Sequence, residues 1–222
     1  MPPVPEKTSL TKIIARLSSV KTQPKALKYF STQLDQDLYE ANSPLRNDAV
    51  YEAVLQYLLD SCTLDTASRV RYSSRLELVK KNQVGAKATD FSFVSATGEI
   101  SSLYKITAAN TILFFYEPDC RHCQLAIADL RANTGIAELI AMGKLSIVMV
   151  YAGGDVELWK QFKTRLPDTW TNGFDPGKRI LRNRIYDLKA SPTLYLLDED
   201  KRVLLKDTTL PVIAIKLLER LS

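Results

Sequence analysis

Hydrophobic and polar positions change their rhythm once along this chain. From residue 8 to residue 82 the apolar residues recur at helical spacing. Leu10, Ile13, Ile14 and Leu17 fall at i, i+3, i+4 and i+7, which predicts a first amphipathic helix. Pro24 opens a second, carrying Leu27, Phe30, Leu34 and Leu38, because proline is tolerated in a helix's first turn. Asn42-Ser43-Pro44 breaks it. Asp48 is placed to cap a third, carrying Val50, Val54, Tyr57 and Leu58. A fourth starts near Asp65 and runs through Tyr72, Leu76 and Val79 to about Lys81. Such helices must bury their apolar stripes against something.

Beyond Val84-Gly85 short β-type runs alternate with helical stretches. Strands are predicted at Asp90–Val94, Thr111–Tyr116, Leu145–Tyr151, Thr193–Leu197 and Arg202–Leu205. Thr111–Tyr116 is continuously apolar, as a parallel strand covered on both faces must be. Helices are predicted over Cys123–Ala141, Val156–Leu166, Ile180–Leu188 and Ile213–Leu221, and Asp198–Lys201 reads as a hairpin turn. The order β, β, α, β, α, α, β, β, α predicts an α/β fold, a mixed sheet with helices on its faces, preceded by a small all-α domain. The expected division is 1–84, with 1–7 a flexible tether, and 85–222.

Composition narrows the class. The chain has 222 residues, 45% hydrophobic and 25% charged, the balance of a globular protein rather than a disordered one. No apolar run approaches the ~18 residues a spanning helix needs. The net charge of +5 is spread evenly: 12 Lys and Arg against 9 Asp and Glu before residue 85, and 18 against 16 after it. A nucleic-acid binder concentrates such charge, so no nucleic-acid partner is expected. The N-terminus, Met1-Pro-Pro-Val-Pro, lacks the apolar core of a signal peptide. It fits either a cytosolic start or a chain whose export signal has been trimmed.

Candidate chemistry sits in one place. Three cysteines cannot build a disulfide framework, yet Cys120 and Cys123 form a Cys-x-x-Cys pair that encloses Arg121 and His122, the only histidine. The pair follows a buried strand and opens a helix. There the unpaired N–H groups and the helix dipole favour a thiolate at Cys120. Cys123, one turn on, is placed as the resolving thiol that displaces a mixed disulfide. Arg121 and His122 can both be cationic and would favour the thiolate, whereas the anionic Asp119 would oppose it. Cys62 stands apart and reads as a small buried hydrophobe.

With strand, cysteine pair and helix in place, residues 85–222 resemble the thioredoxin superfamily, most nearly the exported bacterial thioredoxin-like proteins that include cytochrome-maturation reductases. The resemblance rests on Gly85-Ala-Lys-Ala-Thr-Asp-Phe91, Thr111-Ile-Leu-Phe-Phe-Tyr-Glu-Pro-Asp-Cys-Arg-His-Cys123 and Ala190-Ser-Pro-Thr-Leu-Tyr-Leu-Leu-Asp198. It implies a thiol–disulfide oxidoreductase acting on protein thiols and disulfides, without a cofactor or a metal. It also implies a cis proline at Pro192 facing the cysteines, and Ser191 offering backbone groups to substrate. A periplasmic or cell-envelope location follows, anchored if at all through a removed N-terminal signal. The segment around Leu38-Tyr39, Asn42–Asn47 and Tyr51 is similar to an uncharacterised helical domain found ahead of thioredoxin domains. Two positions depart from the family. Phe114 stands where thioredoxins carry a buried strand acid, and Asp119 replaces an aromatic residue. Glu117 supplies either a nearby carboxylate or an exposed one. The competing readings are a peroxiredoxin-like peroxidase, which the family pattern disfavours because Glu117 stands where Thr or Ser is expected, a metal-binding module, and a redox-inactive interaction module.

Overall fold

The computed structural model describes residues 6–41 and 43–221. The chain divides into two compact units, Met1–Lys80 and Lys81–Ser222. Residues 81 and 82 go with the second unit because Lys81 Nζ donates to the Arg184 carbonyl at 2.7 Å and Asn82 Nδ2 to the Ile185 carbonyl at 2.9 Å.

The first unit is helical: α1 (Glu6–Val20), α2 (Pro24–Leu38), α3 (Asp48–Ser61) and α4 (Thr66–Val79). Of the tether expected over 1–7, residues 1–5 lie outside the described residues, and Glu6 and Lys7 already belong to α1. Asn42, in the expected break after α2, also lies outside them. Asn47, not Asp48, caps α3: its side chain accepts the Val50 N–H at 3.0 Å, leaving Asp48 in the first turn, where a carboxylate favours the helix dipole. Asp65 caps α4, accepting from Ser68 N–H at 2.7 Å. The helices close over Leu17, Leu27, Tyr51, Val54, Leu55, Leu58 and Tyr72. Cys62 is part of this core, as its sequence context predicts.

One polar cluster interrupts it. Asp35 accepts from the Tyr51 hydroxyl at 2.6 Å and pairs with Arg75 at 2.5 Å, and Arg75 also donates to the Tyr51 hydroxyl at 3.1 Å. The guanidinium lies 4.9 Å from the Tyr39 ring centre. This joins α2, α3 and α4 through one buried carboxylate.

The second unit is a seven-stranded mixed sheet flanked by helices. In chain order it holds β1 (Ser92–Ser95), β2 (Ile100–Ser102), β3 (Asn110–Phe115), α5 (Arg121–Ala132), α6 (Thr134–Ala141), β4 (Leu145–Tyr151), α7 (Val156–Lys163), β5 (Thr171–Phe174), α8 (Arg179–Arg182), β6 (Thr193–Asp198), β7 (Val203–Lys206) and α9 (Leu210–Leu221). The sheet order is β2-β1-β5-β4-β3-β6-β7. β3, β4 and β5 run parallel, and β6, β7, β1 and β2 are joined antiparallel. β3, an inner strand between β4 and β6, is buried along its whole length. Its alternate residues feed two cores. Ile112 and Phe114 face one with Tyr116 and Cys123, while Leu113 and Phe115 face the other with Phe91, Tyr186 and Tyr195.

Several expectations are corrected. The helix expected over Cys123–Ala141 starts earlier and is broken at Asn133, whose side chain leaves the helical ladder to accept the Ile136 N–H at 3.0 Å and cap α6. The helix expected over Ile180–Leu188 shrinks to α8. Arg184 turns left-handed at φ 48°, and Tyr186 swings into the second core, where its hydroxyl donates to the Thr89 carbonyl at 2.7 Å. β5 is not among the expected strands, because Thr171-Asn172-Gly173 carries no apolar run. Gly173 is required there by close approach: a Cβ would lie 2.7 Å from the Phe93 ring. β2 was not anticipated either.

Candidate active site

The site grows out of the end of β3. After Phe115 and Tyr116 the chain turns through Glu117-Pro118-Asp119, closed by the Cys120 N–H donating to the Glu117 carbonyl at 3.1 Å. Gln124 Nε2 braces the turn by donating to the Pro118 carbonyl at 3.1 Å. This delivers Cys120 to the N-cap of α5, where its sulfur accepts the Cys123 N–H at 3.3 Å. An N-capping sulfur gains most from that donor and from the helix dipole when it is ionised.

The two cysteines have opposite environments. Cys120 is half-buried at the edge of the core. Cys123 is fully buried, 0% exposed, among Phe114, Tyr116 and Ile127. Burial is the main reason its thiol is pushed up to about 12, opposed by the Glu117 backbone N–H that faces its sulfur. The Cys120 sulfur and the Glu117 carboxylate raise it further. Both cysteines stand as free thiols.

From the other side the chain presents Ser191 and Pro192 at the entry to β6. The Ser191–Pro192 peptide bond is cis. The Cys120 thiol donates to the Ser191 carbonyl at 3.4 Å. Cys120, Cys123, Ser191 and Pro192, far apart in the chain, therefore converge on one spot. Arg121 and His122 occupy the first turn of α5 with exposed side chains, as does Asp119 just before it. Among the described residues no group of three or more His, Cys, Asp or Glu is arranged to hold a metal ion.

Two residues matter more than their sequence context suggests. Glu117 is half-buried, and its carboxyl sits above the ordinary range, chiefly through burial, then through the charge of Asp119; Lys178 acts in the opposite sense. Lys178 reaches this region because Gly154, at φ 80°, has no Cβ to obstruct its aliphatic stem. Nothing in the local sequence links Lys178 to Glu117. The connection depends on the path of the chain between β5 and β6.

Residues 1–82 match the family model described as a domain of unknown function, DUF5106. No curated protein matches the chain. Among solved structures, it is similar to a thioredoxin-like protein from Bacteroides caccae, at 36% identity and a TM-score of 0.92 over 97% of this chain and 78% of that one. It is also similar to the C-terminal domain of an uncharacterised protein from Bacteroides fragilis, at 37% identity and a TM-score of 0.60, covering 62% of this chain and 98% of that one. A domain of a possible thiol-disulfide isomerase from Cytophaga hutchinsonii shares 26% identity at a TM-score of 0.56, covering 64% of this chain and 95% of that one. With a cysteine pair at the head of α5 and a thioredoxin-like protein 36% identical over 97% of this chain, the chain belongs to the thioredoxin-like proteins, its thioredoxin-like unit preceded by a helical domain of unknown function.

Proposed function

We infer that the chain exchanges disulfides with protein substrates through Cys120 and Cys123. The observation that carries this is the asymmetry of the pair. One sulfur is half-buried, caps a helix and lies 3.4 Å from a backbone carbonyl next to a cis proline; the other is buried, which favours its neutral thiol.

The chemistry balances without a cofactor. The Cys120 thiolate attacks a substrate disulfide, forming a bond to one substrate sulfur and expelling the other as a thiolate. Cys123 then attacks the Cys120 sulfur. The intramolecular disulfide forms, the second substrate sulfur leaves, and two electrons have passed from protein to substrate. The reverse sequence oxidises a substrate dithiol. Ser191 and Pro192, beside Cys120, offer backbone groups to an extended substrate segment, and Arg121 and His122 supply positive charge around the nucleophile. The Cytophaga hutchinsonii relative, described as a possible thiol-disulfide isomerase, supports the same class. The resemblance to exported thioredoxin-like proteins supports a periplasmic or cell-envelope setting. No helix among the described residues is long and apolar enough to cross a membrane.

The test is trapping. Cys123→Ser should accumulate a mixed disulfide between Cys120 and a substrate protein, releasable by dithiothreitol, and Cys120→Ser should accumulate none. Equal trapping by both variants would refute the assignment of roles.

A further inference from the structure

The loop that brings Ser191 to Cys120 is irregular, yet it is held in place. Between α8 and β6 the chain runs through 183–192 without a helix or a strand. Such a segment is mobile unless groups outside it bind its backbone. The carbonyls at its start are taken by side chains from a distant stretch of sequence, between α4 and β1. Lys81 Nζ donates to the Arg184 carbonyl at 2.7 Å and to the Asn183 carbonyl at 3.4 Å. Asn82 Nδ2 donates to the Ile185 carbonyl at 2.9 Å.

Both donors are themselves fixed. Asn82 is 5% exposed and left-handed at φ 50°, a conformation that asparagine adopts more readily than most side chains. Its Oδ1 accepts the Thr89 N–H at 2.8 Å, so the amide is bound at both ends. Lys206 Nζ, on β7, donates to the Lys81 carbonyl at 3.0 Å. Further along the loop, the Tyr186 hydroxyl returns to the Thr89 carbonyl at 2.7 Å. Lys189 then pairs with Asp187 at 3.2 Å, both side chains nearly buried. Thr193 Oγ1 donates to the Ala190 carbonyl at 2.6 Å, next to Ser191.

We propose that Lys81 and Asn82 are positioning residues for disulfide exchange, selecting extended polypeptide disulfides over small ones. They hold the start of the 183–192 loop, and through it they set where the Ser191 carbonyl lies, 3.4 Å from the Cys120 sulfur. A polypeptide substrate pairs its backbone with groups on this loop and loses that pairing when the loop drifts. A small disulfide has no backbone to pair and needs Cys120 alone. This assignment rests on the exchange reading and adds to it the residues that decide which disulfides are served best.

The experiment compares two disulfides with one leaving group, using the reduced full chain carrying Cys62→Ala. One is Ellman's reagent. The other is an extended alanine–serine peptide whose single cysteine is linked to thionitrobenzoate. Attack by the Cys120 thiolate on the peptide sulfur forms the mixed disulfide and expels thionitrobenzoate with the electron pair, so stopped flow follows both reactions. Asn82→Gly tolerates the positive φ but removes both amide hydrogen bonds. It is expected to lower the peptide rate constant about tenfold, the value of one well-placed hydrogen bond to substrate, and to leave that of Ellman's reagent unchanged. Lys81→Met should shift the ratio of the two rates in the same direction, and Lys81→Arg, which keeps a cationic donor, should restore it. A ratio that stays put in either Asn82→Gly or Lys81→Met would overturn the proposal and leave the exchange reading standing. So would equal falls in the two rates, the mark of a merely structural role. If Cys120→Ser releases thionitrobenzoate from the peptide as fast as its parent does, the exchange reading itself fails and this proposal with it.

Discussion

Burial of Cys123 has a kinetic signature that can be worked out in advance. Consider Cys120→Ser combined with Cys62→Ala, which leaves Cys123 as the sole thiol. Desolvation, the largest cause of its raised pKa, survives this change. With a pKa near the native value of about 12, the thiolate fraction at pH 7.5 is about 3 × 10⁻⁵. An ordinary thiol near 8.5 is about 10% ionised at that pH. The deficit is about 3,000-fold. The more basic thiolate is also the better nucleophile, with a Brønsted slope of about 0.45, which returns roughly 40-fold. The net expectation is a reaction with a small disulfide about 80-fold slower than that of a free cysteine derivative, before steric shielding slows it further. Its form is as diagnostic as its size. The rate should climb tenfold per pH unit from neutrality to beyond pH 10, where a free thiol has already levelled off. Stopped-flow release of thionitrobenzoate across pH 6–11 measures both. A plateau near pH 8.5 would refute the reasoning, because it would mean that Cys123 is hydrated and not held protonated by the core.

Three further outcomes follow from single substitutions. Arg75→Met should destabilise the helical unit by about 3–5 kcal/mol in urea denaturation, because it strands the buried Asp35 carboxylate without its cation. Asp35→Asn with Arg75→Met should recover part of that loss. Gly173→Ala should cost about 1–3 kcal/mol and shift the thermal midpoint down, because the added methyl overlaps the Phe93 ring in a packed core. His122→Ala should slow the reaction of Cys120 with an anionic small disulfide, followed by stopped flow, because it removes the exposed imidazole from the head of α5. Coincident rates would remove His122 from that role.

The parts of this molecule that could be read in the sequence are those in which one physical requirement dominates. A strand covered on both faces must be apolar throughout, so Thr111–Tyr116 and Leu145–Tyr151 announce β3 and β4 to within a residue. Helices with one buried face must repeat at 3.6 residues, which is why α1 to α4 were visible. The cysteine pair declared itself by spacing. The failures occur where two requirements compete. Asn133 interrupts an otherwise continuous helical pattern because its side chain gains more as a cap than as a helix residue. β5 hides behind an Asn-Gly pair in which the glycine accommodates Phe93, while Asn172 accepts from Trp159 Nε1 at 3.0 Å and from the Tyr116 hydroxyl at 3.3 Å. The stretch after Ile180 has helical spacing, but the pull of Tyr186 into the core overrides it. At the site, Phe114 marks where a familiar acid is missing, and Glu117 could be seen only as an open choice. That its side chain is half-buried, with Lys178 bearing on it, depends on tertiary contacts that no local pattern records.

The account stands on a reversible two-electron couple between Cys120 and Cys123. The direct measurement is equilibration of the Cys62→Ala protein in graded dithiol–disulfide buffers, with the dithiol and disulfide forms resolved by alkylation and mass spectrometry. The account predicts one Nernst transition between a form with two free thiols and one with an intramolecular disulfide. Its slope should be two-electron, a tenfold change in ratio per about 30 mV. Persistence of two free thiols across the whole range, or oxidation only to dimers and buffer adducts, would contradict it.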